Sequence, residues 1–232
     1  MSAATSDHDT PSRSQISELA DPLGWRLVLG VLITHVPVPS LAAAADAAGV
    51  AVAAATPDAE GHLSADLHAD RLVLRLQTRA VGAITGRDLR MASQISAAAS
   101  GRGWHTLPGD AAAVPQLLEI AIDAMDIAAI RPFWQAVTGY LDEPAAPELP
   151  NALVDPLRRG PAIWFQQMET PRPQRNRIHL DVDVAAELAQ ARVAAALAAG
   201  GALLSAAAAP SFWVLADPEG NEACVCTWQG RD

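Results

Sequence analysis

Two histidines in the stretch AEGHLSADLHADR (59–71), His62 and His68, are the first side chains along the chain with the makings of an active site. Imidazoles titrate near neutral pH, so a pair of them can supply the acid and the base of a proton-transfer step. Cys224 and Cys226 stand two apart in an apolar stretch. On a strand that spacing puts both thiols on one face, where they do not readily reach disulfide geometry, and it implies a reducing compartment. The run PRPQRNR (171–177) concentrates positive charge in a chain of net charge −10. It reads either as a solvated connection or as a rim for a carboxylate or phosphate, which arginine pairs bidentately. No nucleophile with a local base, phosphate-binding glycine loop or dinucleotide fingerprint is present.

The elements that must position these groups fall into two halves. In the first, WRLVLGVLITHV (25–36) reads as a β-branched and leucine-rich strand, and SLAAAADAAGVAVAAATPDAEG (40–61) as an alanine-rich helix with Ser40 as N-cap. DRLVLRLQT (70–78) alternates, with Leu72, Leu74 and Leu76 on one face, so it reads as a half-buried strand. TGRDLRMASQISAAASG (85–101) is a helix capped by Thr85, with Asp88 at its third position. The glycine- and proline-bearing stretch 103–114 suits a linker.

The second half repeats itself at an offset of sixty residues. Glu119 aligns with His179, Ile120 with Leu180, Ile122 with Val182 and Asp123 with Asp183, while AIWFQQM (162–168) aligns with EACVCTW (222–228). Two tandem copies of strand, helix and further strands follow from this self-similarity. DPEGNE (217–222) reads as turn chemistry, with Gly220 and Asn221 suited to positive φ.

The acidic balance argues against nucleic acid or an anionic membrane surface as partner. Half the residues are hydrophobic, yet the apolar runs are too short to cross a bilayer. The polar, acidic start MSAATSDHDTPSRSQ lacks the basic and apolar regions of a signal peptide. The expectation is a cytoplasmic protein with a frayed tail over 1–16.

The opening strand with FWQAVTGY, the segment NRIHLDVDV and the turn and strand DPEGNEACV together resemble a glyoxalase-like domain of the vicinal oxygen chelate superfamily, over about 115–232. The resemblance implies two βαβββ modules. In catalytic members the strand positions matching Glu119, Trp164, His179 and Cys224 hold a divalent metal. Glu119 and His179 are good ligands and Cys224 a soft one for zinc, but Trp164 has no donor to offer. The implied reading is a metal-free ligand cavity lined by Glu119, Trp164, Gln166, His179 and Cys224; a divalent metal on Glu119, His179 and Cys224 is the alternative. Arg177 and Asp181 lie in phase with His179.

Residues 17–102 resemble pterin-4a-carbinolamine dehydratase, which implies an α+β domain with helices on one face of an antiparallel sheet. The stretch HLSADLHADRLVLRLQTRAVGAITGRDLRMASQIS carries the likeness. In register, Gly61 and Arg79 stand where that family has histidines, Leu63 where it has proline, and only His62 and Asp88 match its chemistry. Arginine stays protonated and cannot shuttle a proton. An impaired catalytic domain, kept for packing or homodimer formation, is the implied reading; residual dehydratase activity is the alternative. The whole is thus expected to be a two-domain α+β protein that binds a small organic molecule in its second domain, with no cofactor and, if an enzyme, a lyase.

Overall fold

The computed structural model describes residues 10–109, 115–144, 152–172 and 174–230. Residues 1–9 of the expected tail and 110–114 of the expected linker lie outside these. The chain divides into two compact units, the first running to Leu117 and taking in Pro144 as well, the second holding the other described residues from Leu118 onward. Among the described residues, no helix is long and apolar enough to cross a membrane.

The first unit opens inside the stretch expected to fray. Helix α1 (Arg13–Ala20) is held at its start by a reciprocal capping box of Ser12 and Gln15, and it buries Ile16 and Ala20. The run expected to form one strand folds instead into a hairpin of β1 (Arg26–Val28) and β2 (Val31–Pro37). Leu29 and Gly30 both take left-handed backbone, φ 47 and 71. That is the requirement of a two-residue turn matching strand twist, met here by a leucine that carries no turn signal. Helix α2 (Leu41–Ala55) begins where expected, Ser40 accepting from the Ala43 N–H. His62 and His68 lie in the connections on either side of a strand, β3 (Leu63–Leu67), which pairs with β4 (Arg71–Leu76). Helix α3 (Gly86–Ser100) carries the predicted capping box of Thr85 and Asp88.

The sheet order is β1-β2-β4-β3, antiparallel throughout. Leu32 and Val36 of β2 and Leu72, Leu74 and Leu76 of β4 share one face and one core with α2 and α3. Each such leucine contributes about 1.5–3 kcal/mol by burial. The buried residues of α2 are all alanines, so its backbone can lie close to its neighbours. The unit continues past the expected boundary at 102. Trp104 packs on this core, the Thr106 hydroxyl donates to the Leu23 carbonyl at 2.7 Å, and Leu107 bridges to His35.

The second unit consists of two modules of one pattern. The first runs β5 (Glu119–Ala124), α4 (Ile127–Thr138), β6 (Leu141–Asp142), β7 (Leu153–Val154) and β8 (Ala162–Gln167). The second runs β9 (Leu180–Asp183), α5 (Ala189–Ala198), β10 (Ala202–Ser205), β11 (Phe212–Ala216) and β12 (Glu222–Cys226). Each module makes one four-stranded sheet, β5-β8-β7-β6 and β9-β12-β11-β10, with its first and last strands parallel. The repeat seen in the sequence is therefore a repeat of βαβββ. Ile122, Ile163, Phe165, Leu215 and Val225 pack with Ile130, Phe133 and Val193 of the helices into one core shared by both modules.

Candidate functional site

Strand alternation decides which side chains are available for chemistry. With Ile120, Ile122, Ile163 and Phe165 turned to the helices, Glu119, Ala121 and Asp123 of β5 share the opposite face with Trp164 and Gln166 of β8. In the second module Ala223 and Val225 pack inward, so Cys224 and Cys226 stand opposite with Asp181 and Asp183. His179 lies just ahead of β9, in phase with Asp181. The two cysteines are buried and present as thiols, unbridged.

These residues do not form one group. β5 and β9 are edge strands of their sheets, and a cleft of about 490 Å³ opens along β5, the segment leading into β9, and the turn before β12. Glu119, Asp123, Arg177 and His179 line it, together with Ile120, Ile122, Trp134 and Leu180. Trp164, Gln166 and Cys224 are outside this lining.

The arginine run is largely spoken for. Arg172 pairs with Asp123 at 2.9 Å, and Arg175 grips Glu222 with two contacts of 2.6 Å. The hydrogen bond from Arg175 is the main reason the Glu222 carboxyl is held below the usual range. Arg177 also faces the cleft, with no carboxylate partner among the described residues. Glu119 behaves oppositely to Glu222: burial, then the charge of Glu143, pushes its carboxyl above the ordinary value.

A metal bridging the modules is what the superfamily's pattern implies, and the residues present do not fit one. Trp164 cannot donate, and Glu119 is not gathered with the other donors. Among the described residues the one close group is His179, Asp181 and Cys224, whose ligand atoms lie within 4.8 Å of each other. Asp181 was placed in phase with His179 by the sequence, but not among the candidate ligands. Burial, then a hydrogen bond to Asp181, pushes the Cys224 thiol up to about 12, so by itself it is a neutral, unreactive group.

In the first unit His62 and Asp88 do meet. His62 Nδ1 is 2.8 Å from Asp88 Oδ1, in a setting where the carboxylate is fully buried. Asp88 also accepts from the Thr78 hydroxyl at 2.6 Å and from the Thr85 N–H at 2.8 Å. Neither threonine was a candidate by sequence, although Thr85 was identified as a cap. Arg79 is occupied, donating to the Leu63 carbonyl and the Ser64 hydroxyl at 2.8 Å each. His68 caps the β3–β4 turn through its backbone N–H and takes no place in this network.

Residues 119–226 match the model of the glyoxalase-like domain family. The second unit is thus a glyoxalase-like domain of the vicinal oxygen chelate superfamily. No curated protein matches the chain. Among solved structures, a glyoxalase/bleomycin resistance protein/dioxygenase family enzyme from Burkholderia phytofirmans is 24% identical over 47% of this chain and 95% of its own, with a TM-score of 0.39. A glyoxalase-related enzyme from Fulvimarina pelagi is 18% identical over 49% and 88%, TM-score 0.38. A fosfomycin resistance protein from Mesorhizobium loti is 11% identical over 49% and 92%, TM-score 0.39.

Proposed function

We propose that the glyoxalase-like unit binds a small organic anion with an apolar body in the cleft beside β5, using side chains alone. The observation that carries this reading is the lining: Ile120, Ile122, Trp134 and Leu180 offer an apolar wall, and Arg177 brings a guanidinium without a carboxylate partner among the described residues. Such a mixture of apolar wall and few polar groups is the usual makeup of a ligand site. A ligand carboxylate or phosphate would pair with Arg177, and Glu119, protonated more readily than an ordinary glutamate, would repel it less. Trp164 at a metal position supports binding without a bridging ion. An arylsulfonate fluorophore such as anilinonaphthalene sulfonate tests this in the presence of a chelator. Saturable binding that weakens about tenfold in Arg177→Ala, the loss of one charge-assisted contact, is the expected result; equal binding by the variant contradicts the reading.

A second reading is favoured by the His62–Asp88 pair. A carboxylate on Nδ1 fixes an imidazole's tautomer and orientation, as a proton-transferring histidine requires. The first unit would then retain dehydration of a pterin carbinolamine with one working imidazole, in keeping with its resemblance to that family. It stands second because Arg79 is tied into β3 where another imidazole would be needed. Dehydratase turnover by pure protein that is lost in His62→Ala supports it; no turnover by the unaltered protein eliminates it.

A further inference from the structure

The first unit carries a groove of its own, of about 690 Å³, between the exposed face of α2 and the chain just after α3, lined by Asp46, Gly49, Val50, Ala53, Arg102 and Trp104. We propose that it binds a small zwitterion with an apolar body, the chemistry of an amino acid bearing a large apolar side chain. The inference is independent of the cleft beside β5. A volume of this size suits a small organic molecule. Asp46 and Arg102 bring opposite charges to it, and neither side chain has a hydrogen-bond or ion-pair partner among the described residues. Asp46 is the single charged residue of α2 and lies beyond its first turn, so neither capping nor the helix dipole accounts for it.

Gly49 supplies a second observation. Glycine is the poorest helix former after proline, and its use inside a helix is explained where a neighbour must approach the backbone closely. A Cβ on Gly49 would meet nothing within 4 Å, so no protein neighbour requires it. The missing side chain leaves the groove open along α2. Trp104 forms another wall: it packs in part on the core of the first unit, and its indole N–H, unlike those of Trp25 and Trp134, has no acceptor among the described residues. A ligand carboxylate pairs with the Arg102 guanidinium, an ammonium group pairs with Asp46, and the apolar body lies against Trp104, Val50 and Ala53. Two opposite charges also discriminate. Asp46 repels a simple anion and Arg102 a simple cation, so the arylsulfonate that probes the cleft beside β5 is excluded here.

Isotope-labelled full-length protein is titrated with L-phenylalanine, and in parallel with hydrocinnamate and phenethylamine, which keep the ring but lack the ammonium and the carboxylate respectively. Saturable amide shifts at Gly49, Val50, Ala53, Arg102 and Trp104 are expected with L-phenylalanine at about millimolar concentration, the range an open groove gives so small a ligand. Each analogue should bind at least ~10-fold more weakly, the loss of one charge-assisted contact. Asp46→Asn and Arg102→Gln, both at exposed positions that spare the core, should weaken L-phenylalanine by a similar factor. Gly49→Leu puts a good helix former and a filling side chain into the groove, and it should abolish binding with the melting temperature no lower. No saturable shift at these residues, equal binding of either analogue, or unchanged binding in Asp46→Asn and Arg102→Gln would overturn the proposal. Shifts along α2 that grow with protein concentration alone would overturn it too, by assigning this face to a second copy of the chain.

Discussion

Asp88 is the most heavily committed carboxylate of the first unit, accepting four hydrogen bonds from His62, the Thr78 hydroxyl and both the N–H and hydroxyl of Thr85. Removing a buried acceptor strands its donors, so Asp88→Ala should destabilise the first unit by about 3 kcal/mol; a lower urea midpoint at unchanged slope is the measurement. Glu119 makes a different kind of prediction. Its carboxyl is raised by burial and by Glu143, so it takes up a proton at higher pH than an ordinary glutamate. Asp123, Arg172, Arg177, His179 and Glu222 share its cleft. An anion in the cleft should therefore bind more tightly as pH falls through the titration of Glu119. Glu119→Gln should bind it more tightly than the unaltered protein at neutral pH and flatten that part of the pH profile. The sequence made His62, Asp88, Glu119 and His179 visible because their types are few and their positions patterned. It hid Thr78, and it showed Thr85 only as a cap and Asp181 only as a neighbour in phase with His179, because their further contacts depend on which side chain comes to lie beside them.

Individual elements depend on single polar residues at their ends. Asp217 anchors the turn before β12, accepting from the N–H groups of Glu219 and Asn221 at 2.9 Å each, and the same carboxylate takes the indole N–H of Trp134 on α4 at 2.9 Å. Turn chemistry was legible in DPEGNE, with Gly220 at φ 87 as expected, though Asn221 is not among the positive-φ residues. The reach to α4 was not legible, since it joins residues 83 apart in the chain. Asp217→Ala should cost about 2–4 kcal/mol, combining a lost turn with an unpaired buried indole, seen as a lower melting temperature. Asp155 plays a similar part after β7. Burial alone would raise its carboxyl, but the N–H groups of Gly160, Leu157 and Arg159 outweigh that and hold it below the ordinary value. A depressed acid contributes stability that is present above its unfolded value and lost as pH falls through the folded one. Asp155→Asn should therefore lower stability at neutral pH by about 1 kcal/mol and narrow its gap to the unaltered protein in acid; a constant gap would contradict this. The β1–β2 turn shows where local reading fails. Leu29 adopts left-handed backbone because strand pairing on both sides demands it, and no leucine announces that in advance.

At the scale of the molecule, the sixty-residue repeat was the strongest signal in the sequence, and it corresponds to two βαβββ modules. Repetition survives because each module must bury the same face in a shared core. The edges of the first unit were less legible. Ile16 belongs to its core and Trp104 packs against it, although their surroundings read as tail and linker, because tertiary burial, not local composition, decides where a domain stops. The central claim is that the cleft beside β5 takes an organic anion without a bridging metal. Backbone amide shifts of isotope-labelled full-length protein, titrated with anilinonaphthalene sulfonate in excess chelator, test it most directly. The account predicts changes confined to 119–123, the segment leading into β9 and the turn at Asn221 and Glu222. Changes centred on the groove of Asp46, Val50 and Trp104 in the first unit, or changes at β5 that require added divalent metal, would contradict it.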